Sequence, residues 1–337
     1  MFKHILVPLD GSLVAERAIP VAARIARSTG GKVVLLQVIT MPASYGYGPY
    51  FIQGPIIATE DIVEIDTANA TEYLRQAAAT SALAGVETTI EVQIGSTASA
   101  ICEAVQTDAI DLIVMSSRGQ SGFKRWMLGS VAQKVARHSS VPVLVLREDE
   151  TKGIAGQHPY SERPLRVLVP LDGSAMAKSA LLPAAQLAAA LAAPGQGALH
   201  LIRVMKPDRE HLDMPTRELV LQKGRKYLTA VTEHLHEGIA GELKLAVTWS
   251  VALDTDVAEA LVNVAEVGED AEGAGVFGGC DLIAMSTHGR GGLQRWAMGS
   301  ITERVLDATR LPLLIVRPVP EANSGKAVED EVKKVHV

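Results

Sequence analysis

The chain has 337 residues, of which 47% are apolar and 21% charged, with a formal net charge of −6 and a pI near 5.9. That is the composition of a folded globular protein, long enough for about two domains. The acidic balance argues against a nucleic-acid partner, which would want clustered basic surface. Aromatics are few, so the cores must be built from Val, Ile, Leu and Ala. Cys102 and Cys280 stand in no CxxC or Cys/His metal spacing and read as small buried hydrophobes in a reducing compartment. Nothing near Met1 resembles a signal peptide, and no apolar stretch approaches the roughly 18 residues that cross a bilayer. The expectation is a cytoplasmic protein without a membrane partner.

In chain order, His4–Val7 is a short apolar run stopped by Pro8 and the turn Asp10-Gly11-Ser12. Such runs suit strands buried on both faces of a parallel sheet. Ser12 can cap a helix carrying Val14, Ala18, Ala22 and Ile25, which Gly30-Gly31 ends. A strand at 32–39 and a Gly-, Pro- and Tyr-rich loop at 41–55 follow. Next come a long helix through Tyr73 and Leu74, a strand at 87–94, a helix around 99–107 and a fourth strand at 111–115. A loop over 116–128, a helix from Ser130 and a fifth strand at 141–146 complete the unit. Pro142 near the start of that fifth strand suggests an edge position.

After a polar linker at 148–164 the order repeats. Strands are expected at 165–169, 198–204, 242–251, 281–285 and 311–316, with helices at 176–192, about 214–236, about 256–266 and from Ser300. Residues 318–337 form a polar tail. Val7-Pro8-Leu9-Asp10-Gly11-Ser12 recurs as Val169-Pro170-Leu171-Asp172-Gly173-Ser174, and Arg125-Trp126-Met127-Leu128-Gly129-Ser130 recurs as Arg295-Trp296-Ala297-Met298-Gly299-Ser300. The chain is one domain duplicated, 1–147 and 165–317. Asp10 and Asp172 are 162 residues apart and Gly119 and Gly289 are 170 apart, so copy two has gained a net eight residues. The Gly-rich stretch 268–279 is the expected place, read as a loop able to reshape that copy's pocket. Alternating strands and helices give an α/β fold, with each copy a doubly wound five-stranded parallel sheet in order 3-2-1-4-5.

In such sheets ligands bind beyond the carboxyl ends of the strands where the strand order reverses. Asp10 follows strand one, and the loop 116–129 follows strand four. Gly129-Ser130 opens a helix whose amides and dipole favour phosphate, and Ser130 adds a hydroxyl. Asp10 suits ribose hydroxyls, an adenine amino group or a bridging Mg²⁺. Together these describe a nucleotide. The bland alternative is a turn with an N-cap and an ordinary helix start; recurrence in both copies weakens it. Arg125 and Arg295 read as surface or structural residues, and His288, in place of Arg118, has no catalytic partner in its motif. Gly273–Gly278 formally matches GxGxxG, but a strand follows it where a helix is required.

These segments resemble the universal stress protein family. Its ATP-binding branch carries Gly, two residues, Gly, nine residues, Gly, then Ser or Thr. Gly119, Gly129 and Ser130 match, as do Gly289, Gly299 and Ser300, with nine residues between the glycines in each copy. The motif's first Gly falls on Ser116 and Ser286, a departure in both copies. The resemblance implies an adenine-nucleotide-hydrolase-like or flavodoxin-like fold, with the two fifth strands meeting so that one chain imitates a dimer. It further implies that Pro8, Asp10, Val38, Met115, Ser116 and Val131 contact nucleotide, with Pro170, Asp172, Val204, Met285, Ser286 and Ile301 as their counterparts. An ATP-binding stress-response regulator acting on a protein partner is thereby expected, with at most slow hydrolysis. A non-nucleotide adaptor remains the alternative, and a further pairing of two chains stays open.

Overall fold

The computed structural model describes residues 1–40, 59–117, 128–147, 163–207, 213–271, 275–287 and 298–318. The expected loop at 41–55, the linker through 162 and the tail beyond 318 lie outside the described residues. So do Gly119, Gly289, Arg118, His288, Arg125 and Arg295.

Ten strands form one sheet. The first repeat supplies β1 (His4–Leu9), β2 (Lys32–Ile39), β3 (Glu87–Ile94), β4 (Leu112–Ser116) and β5 (Val143–Leu146). The second supplies β6 (Leu165–Pro170), β7 (Gly197–Met205), β8 (Ala246–Leu253), β11 (Leu282–Ser286) and β12 (Leu313–Val316). Their order is β3-β2-β1-β4-β5-β12-β11-β6-β7-β8, so each repeat shows the expected 3-2-1-4-5 arrangement. Within this ten-stranded sheet, pairing is parallel inside each repeat and antiparallel only where β5 meets β12. The two fifth strands do meet: Val143 pairs with Ile315, Leu144 with Leu314 and Val145 with Leu313. Leu144 and Leu314 are counterparts in the repeats, so a pseudo-twofold axis passes through their pair, as in an isologous dimer.

The inner strands are largely apolar on both faces because helices cover both. On one face α2 (Ala18–Thr29) packs on α7 (Leu181–Ala192) across the seam. On the other lie α5 (Ser130–His138) and α11 (Ser300–Ala308), bridged by Arg137 and Glu303. Arg147 donates to the Leu306 carbonyl, and its counterpart Arg317 to the His138 carbonyl at 3.2 Å. The helix expected to run unbroken after each Asp-Gly-Ser turn is divided. One turn, α1 (Leu13–Glu16) or α6 (Ala175–Lys178), precedes α2 or α7. By length and composition alone, Ala175–Ala192 could cross a membrane at a mean hydropathy of 1.3, which corrects the expectation that no stretch would qualify. Half of that window is buried inside the protein, and its apolar side chains serve the core beside β6 and β7.

Two further differences lie in the second repeat. The strand expected from 242 begins at Ala246, because the short helix α9 (Ile239–Glu242) continues the turn after α8 (Met214–Glu237). The Gly-rich insertion is an antiparallel hairpin, β9 (Glu269–Ala271) with β10 (Gly275–Phe277), rather than a loop. It follows α10 (Val257–Val267) and precedes β11, so it sits at the amino edge of the sheet, away from the crevice it was expected to reshape.

That hairpin carries Glu269 to a buried histidine. His200 is fully buried on β7; Thr248 Oγ1 lies 2.8 Å from its Nδ1, with Ser250 Oγ at 3.0 Å and Glu269 Oε1 at 3.2 Å from Nε2. Val34 occupies the matching place in the first repeat. Burial holds the His200 pKa below its ordinary value, against the opposing pull of Glu269. The fold therefore favours neutral imidazole, and that stability is complete above about pH 6.5 and lost as pH falls below it.

Two outcomes are expected. Leu144→Asp places an unpaired charge in the seam and should cost about 3 kcal/mol or more in denaturant unfolding, whereas Arg137→Ala at a half-exposed pair should cost about 1 kcal/mol or less. In thermal melts, the midpoint of the native chain should drop between pH 7 and pH 5, and His200→Val should melt lower at pH 7 but depend less on pH across that interval.

Candidate functional site

The sheet order reverses between β1 and β4, and between β6 and β11. Ile5 pairs with Leu112 and Leu6 with Ile113; Val167 pairs with Leu282 and Leu168 with Ile283. After β1 the chain turns to helices on one face, and after β4 to α5 on the other. The carboxyl ends of these neighbours thus open a crevice in each repeat.

One wall is the Asp-Gly-Ser turn. Asp10 Oδ1 accepts from the Ser12 amide at 3.0 Å and from Ser12 Oγ at 2.6 Å, and Ser12 Oγ accepts from the Ala15 amide at 3.2 Å. Asp172, Ser174 and Ala177 repeat these bonds at 2.9, 2.6 and 3.0 Å. The middle residue needs a left-handed backbone, φ 82° at Gly11 and 91° at Gly173, which glycine adopts without a Cβ penalty. Turn and N-cap, the bland reading of these residues, are therefore real. They also hold the carboxylate at the rim, beside Pro8 or Pro170 at the strand end.

The other wall is the amino end of α5 or α11, tied back to the end of the preceding strand. The Gly129 amide donates to the Ser117 carbonyl at 2.7 Å and the Gly299 amide to the Thr287 carbonyl at 2.8 Å. Gly129 and Gly299 are N-caps with extended backbones, and Gln133 and Glu303 donate back to their carbonyls. The amides of Ser130, Val131 and Ala132, and of Ser300, Ile301 and Thr302, are those an α-helix leaves without intrahelical acceptors. The Ser130 and Ser300 side chains are exposed. A Cβ on Gly299 would meet the Thr287 carbonyl oxygen at 3.2 Å, a tight approach that a larger side chain would worsen.

Val38, Met115 and Val131 belong to one apolar cluster beneath the first crevice, and Val204, Met285 and Ile301 to the same cluster beneath the second. The topology thus places Pro8, Asp10, Val38, Met115, Ser116, Gly129, Ser130 and Val131 at one edge of the first repeat, with their counterparts in the second. Gly119 and Gly289 lie outside the described residues. Among the described residues, no group of three or more His, Cys, Asp or Glu side chains could hold a metal ion.

Ser116 and Ser286 end β4 and β11, pair with Leu146 and Val316, and are nearly buried. A strand conformation asks for no positive φ, so serine is at no disadvantage to glycine in backbone terms. In the second repeat Thr302 Oγ1 donates to the Ser286 carbonyl at 3.0 Å, a tie that Ala132 cannot make in the first.

Sequence reasoning missed a tyrosine behind each turn. Tyr73 Oη donates to Glu16 Oε1 at 3.1 Å, and burial, then Glu16 and Asp10, push its pKa up. Tyr227 instead lies beneath two cations, the Arg203 guanidinium 4.5 Å and Lys178 Nζ 5.5 Å from its ring centre. The recurring Tyr-Leu pairs at 73–74 and 227–228 were the available sign. Also missed was Asp256, the N-cap of α10, which Arg304 of α11 holds at 2.5 Å.

Because Ser116 and Ser286 sit in regular strands, Ser116→Gly and Ser286→Gly should each destabilise by about 1 kcal/mol, measured by chemical denaturation. A gain in stability would mean that the backbone there prefers glycine after all.

A model of the universal stress protein family matches residues 1–147 and again residues 165–317. A universal stress protein of Mycolicibacterium smegmatis is 27% identical over 327 residues, covering 93% of this chain and 97% of that one. Universal stress protein YxiE of Bacillus subtilis is 30% identical over 150 residues, 44% of this chain and 100% of its own length. The crystal structure of a universal stress protein from Archaeoglobus fulgidus superposes with a TM-score of 0.61 at 21% identity, covering 93% of this chain and 98% of that one, a likeness of fold. With the family's pattern matched over both repeats, the chain belongs to the universal stress protein family.

Proposed function

We propose that this protein binds an adenine nucleotide, ATP in the first place, at one or both crevices and acts in the stress response as a nucleotide-dependent regulator of a protein partner. One observation carries the reading. In both repeats an Asp-Gly-Ser turn and the amino end of a Gly-Ser helix flank the same strand-order reversal, over an apolar floor. The residue types fit the group: the amides of Ser130 and Val131, or Ser300 and Ile301, suit phosphate oxygens. Val38, Met115 and Val131, or Val204, Met285 and Ile301, offer an apolar bed for a purine. Asp10 and Asp172 suit ribose hydroxyls or an Mg²⁺ shared with phosphate, the usual mode for a cation that keeps few protein ligands. Binding rather than turnover is the role proposed, with hydrolysis slow if it occurs.

A non-nucleotide adaptor is favoured by one detail: Asp10 Oδ1 and the Gly129 amide already serve the loops themselves. Denaturing the purified protein and identifying what it releases, followed by calorimetric titration with ATP, separates the two readings. ATP, ADP or AMP should be recovered or bound, and Gly129→Val together with Gly299→Val should abolish the heat while circular dichroism stays native. An empty extract and no heat with any adenine nucleotide would leave the adaptor.

A further inference from the structure

We propose that the outer edge of the second repeat, β8, is a self-complementary surface that joins a second copy of this chain in an antiparallel, twofold pair. The inference does not depend on nucleotide binding. It begins in the sequence. Residues 244–254 read KLAVTWSVALD, nearly the same run in either direction about Trp249, with serine mirroring threonine and an acid mirroring the lysine. A twofold contact sets residue i against j and j against i. An antiparallel strand pair centred on Trp249 therefore places Val247 against the second copy's Val251 and Thr248 against its Ser250. Lys244 meets the second copy's Asp254 at each end. Matched apolar pairs and opposite charges directly across from one another are favourable cross-strand combinations.

The fold puts that symmetry where it can be used. β8 ends the ten-stranded sheet and, among the described residues, is laddered only to β7. It runs from Ala246 to Leu253 without proline or charge, and every residue but Ser250 is partly exposed. A bare edge offers its amides and carbonyls to another chain, and natural edges are commonly guarded by charge, proline or a bulge. The opposite edge is guarded in that way, since β3 carries Glu87 and Glu91. Ile90 of β3 occupies the place of Trp249. A pair centred on Ile90 would set Thr89 against Glu91, so the symmetry belongs to the second repeat alone.

Side chains of β8 alternate between the two faces of the sheet. On one face the hydroxyls of Thr248 and Ser250 lie 2.8 and 3.0 Å from the His200 ring nitrogens, so they need no polar partner from a second copy. On the other, Val247, Trp249 and Val251 pack against the core beneath α8. That helix approaches so closely that a Cβ on Gly224 would lie 2.7 Å from Val251 Cγ1. A twofold axis normal to the sheet keeps equivalent faces on the same side. The second copy's α8 would then lie beside this one, as α2 and α7 lie across the β5–β12 seam. The ladder would use the whole of β8, whereas that seam pairs three residues from each strand. Lys244 and Asp254 sit at opposite ends of one extended strand, about 33 Å apart. Only a second copy can bring them together.

The test uses the full chain. Light scattering across a concentration series should show a reversible species of twice 35.7 kDa. In the native chain a zero-length carbodiimide should join Lys244 to Asp254, and the linked peptide should come from material of dimer mass. Lys244→Asp and Asp254→Lys each set like charges opposite one another at both ends of the ladder. Each should weaken the dimer about tenfold at low salt, with less effect at high salt. Combining the two substitutions restores opposite charges between copies and should return the affinity to within about threefold of the native value. Thermal melts of all three variants establish that they are folded. A chain that stays monomeric throughout, as it would if this edge received a different protein, overturns the proposal. So does a dimer without the Lys244–Asp254 link, a dimer indifferent to the single swaps, or a double swap no tighter than either single one.

Discussion

Three residues of β12 run antiparallel to three of β5, and the rest of the molecule is arranged around that contact. Val143–Val145 and Leu313–Ile315 are almost wholly buried. A side chain of this kind contributes about 1.5–3 kcal/mol when taken out of water. Left open, each fifth strand would be a short apolar edge offering unpaired amides and carbonyls to any other chain. Joined, they convert two five-stranded sheets into one of ten strands whose remaining edges are β3 and β8. Both edge strands carry partly exposed, mixed side chains. The linker only has to permit the pairing, which the strands themselves specify.

The seam also fixes where the two crevices lie. Because the pseudo-twofold axis passes through Leu144 and Leu314, each repeat's reversal point lies on its own side of the axis, and no residue described at one crevice belongs to the other repeat. This differs from a site built across a subunit boundary. The repeats are mechanically joined, through the sheet and through Arg137, Arg147 and Arg317, but their crevices are chemically separate. Divergence in one need not disturb the other.

Much of this was legible in the sequence. Runs such as Leu112–Met115 and Leu282–Met285 are apolar at every position because both faces of the strand are covered, and a helix of that length would show polar positions. Gly11 and Gly173 were legible because only a left-handed turn explains a glycine between Asp and Ser after a strand. The insertion was located but not its form: a Gly-rich stretch of this length is short of residues with β preference, and its pairing depends on docking at His200. His200 itself was invisible, since one histidine in an apolar strand shows no partner until Thr248 and Ser250 of β8 and Glu269 of the hairpin arrive from two other segments. The breaks after α1 and α6 were hidden as well, because residues 13–29 and 175–192 keep a helical apolar spacing through the break.

The least legible layer is also the one in which the repeats differ most. A duplicated domain begins with two identical sites, and backbone geometry is the costly part to change. Moving Gly11 or the Gly129 cap would strain the turn or unpin the loop, so those positions stay matched between the copies. Residues one turn behind them carry no such penalty: Glu16 and Lys178 are both accommodated at the end of a four-residue helix, and Gln37 and Arg203 at the end of an inner strand. Charge is therefore the variable that such a chain can alter freely while the frame of each crevice stays the same. The recurrent motif describes that frame. The side chains in which the two frames have come to differ lie outside it.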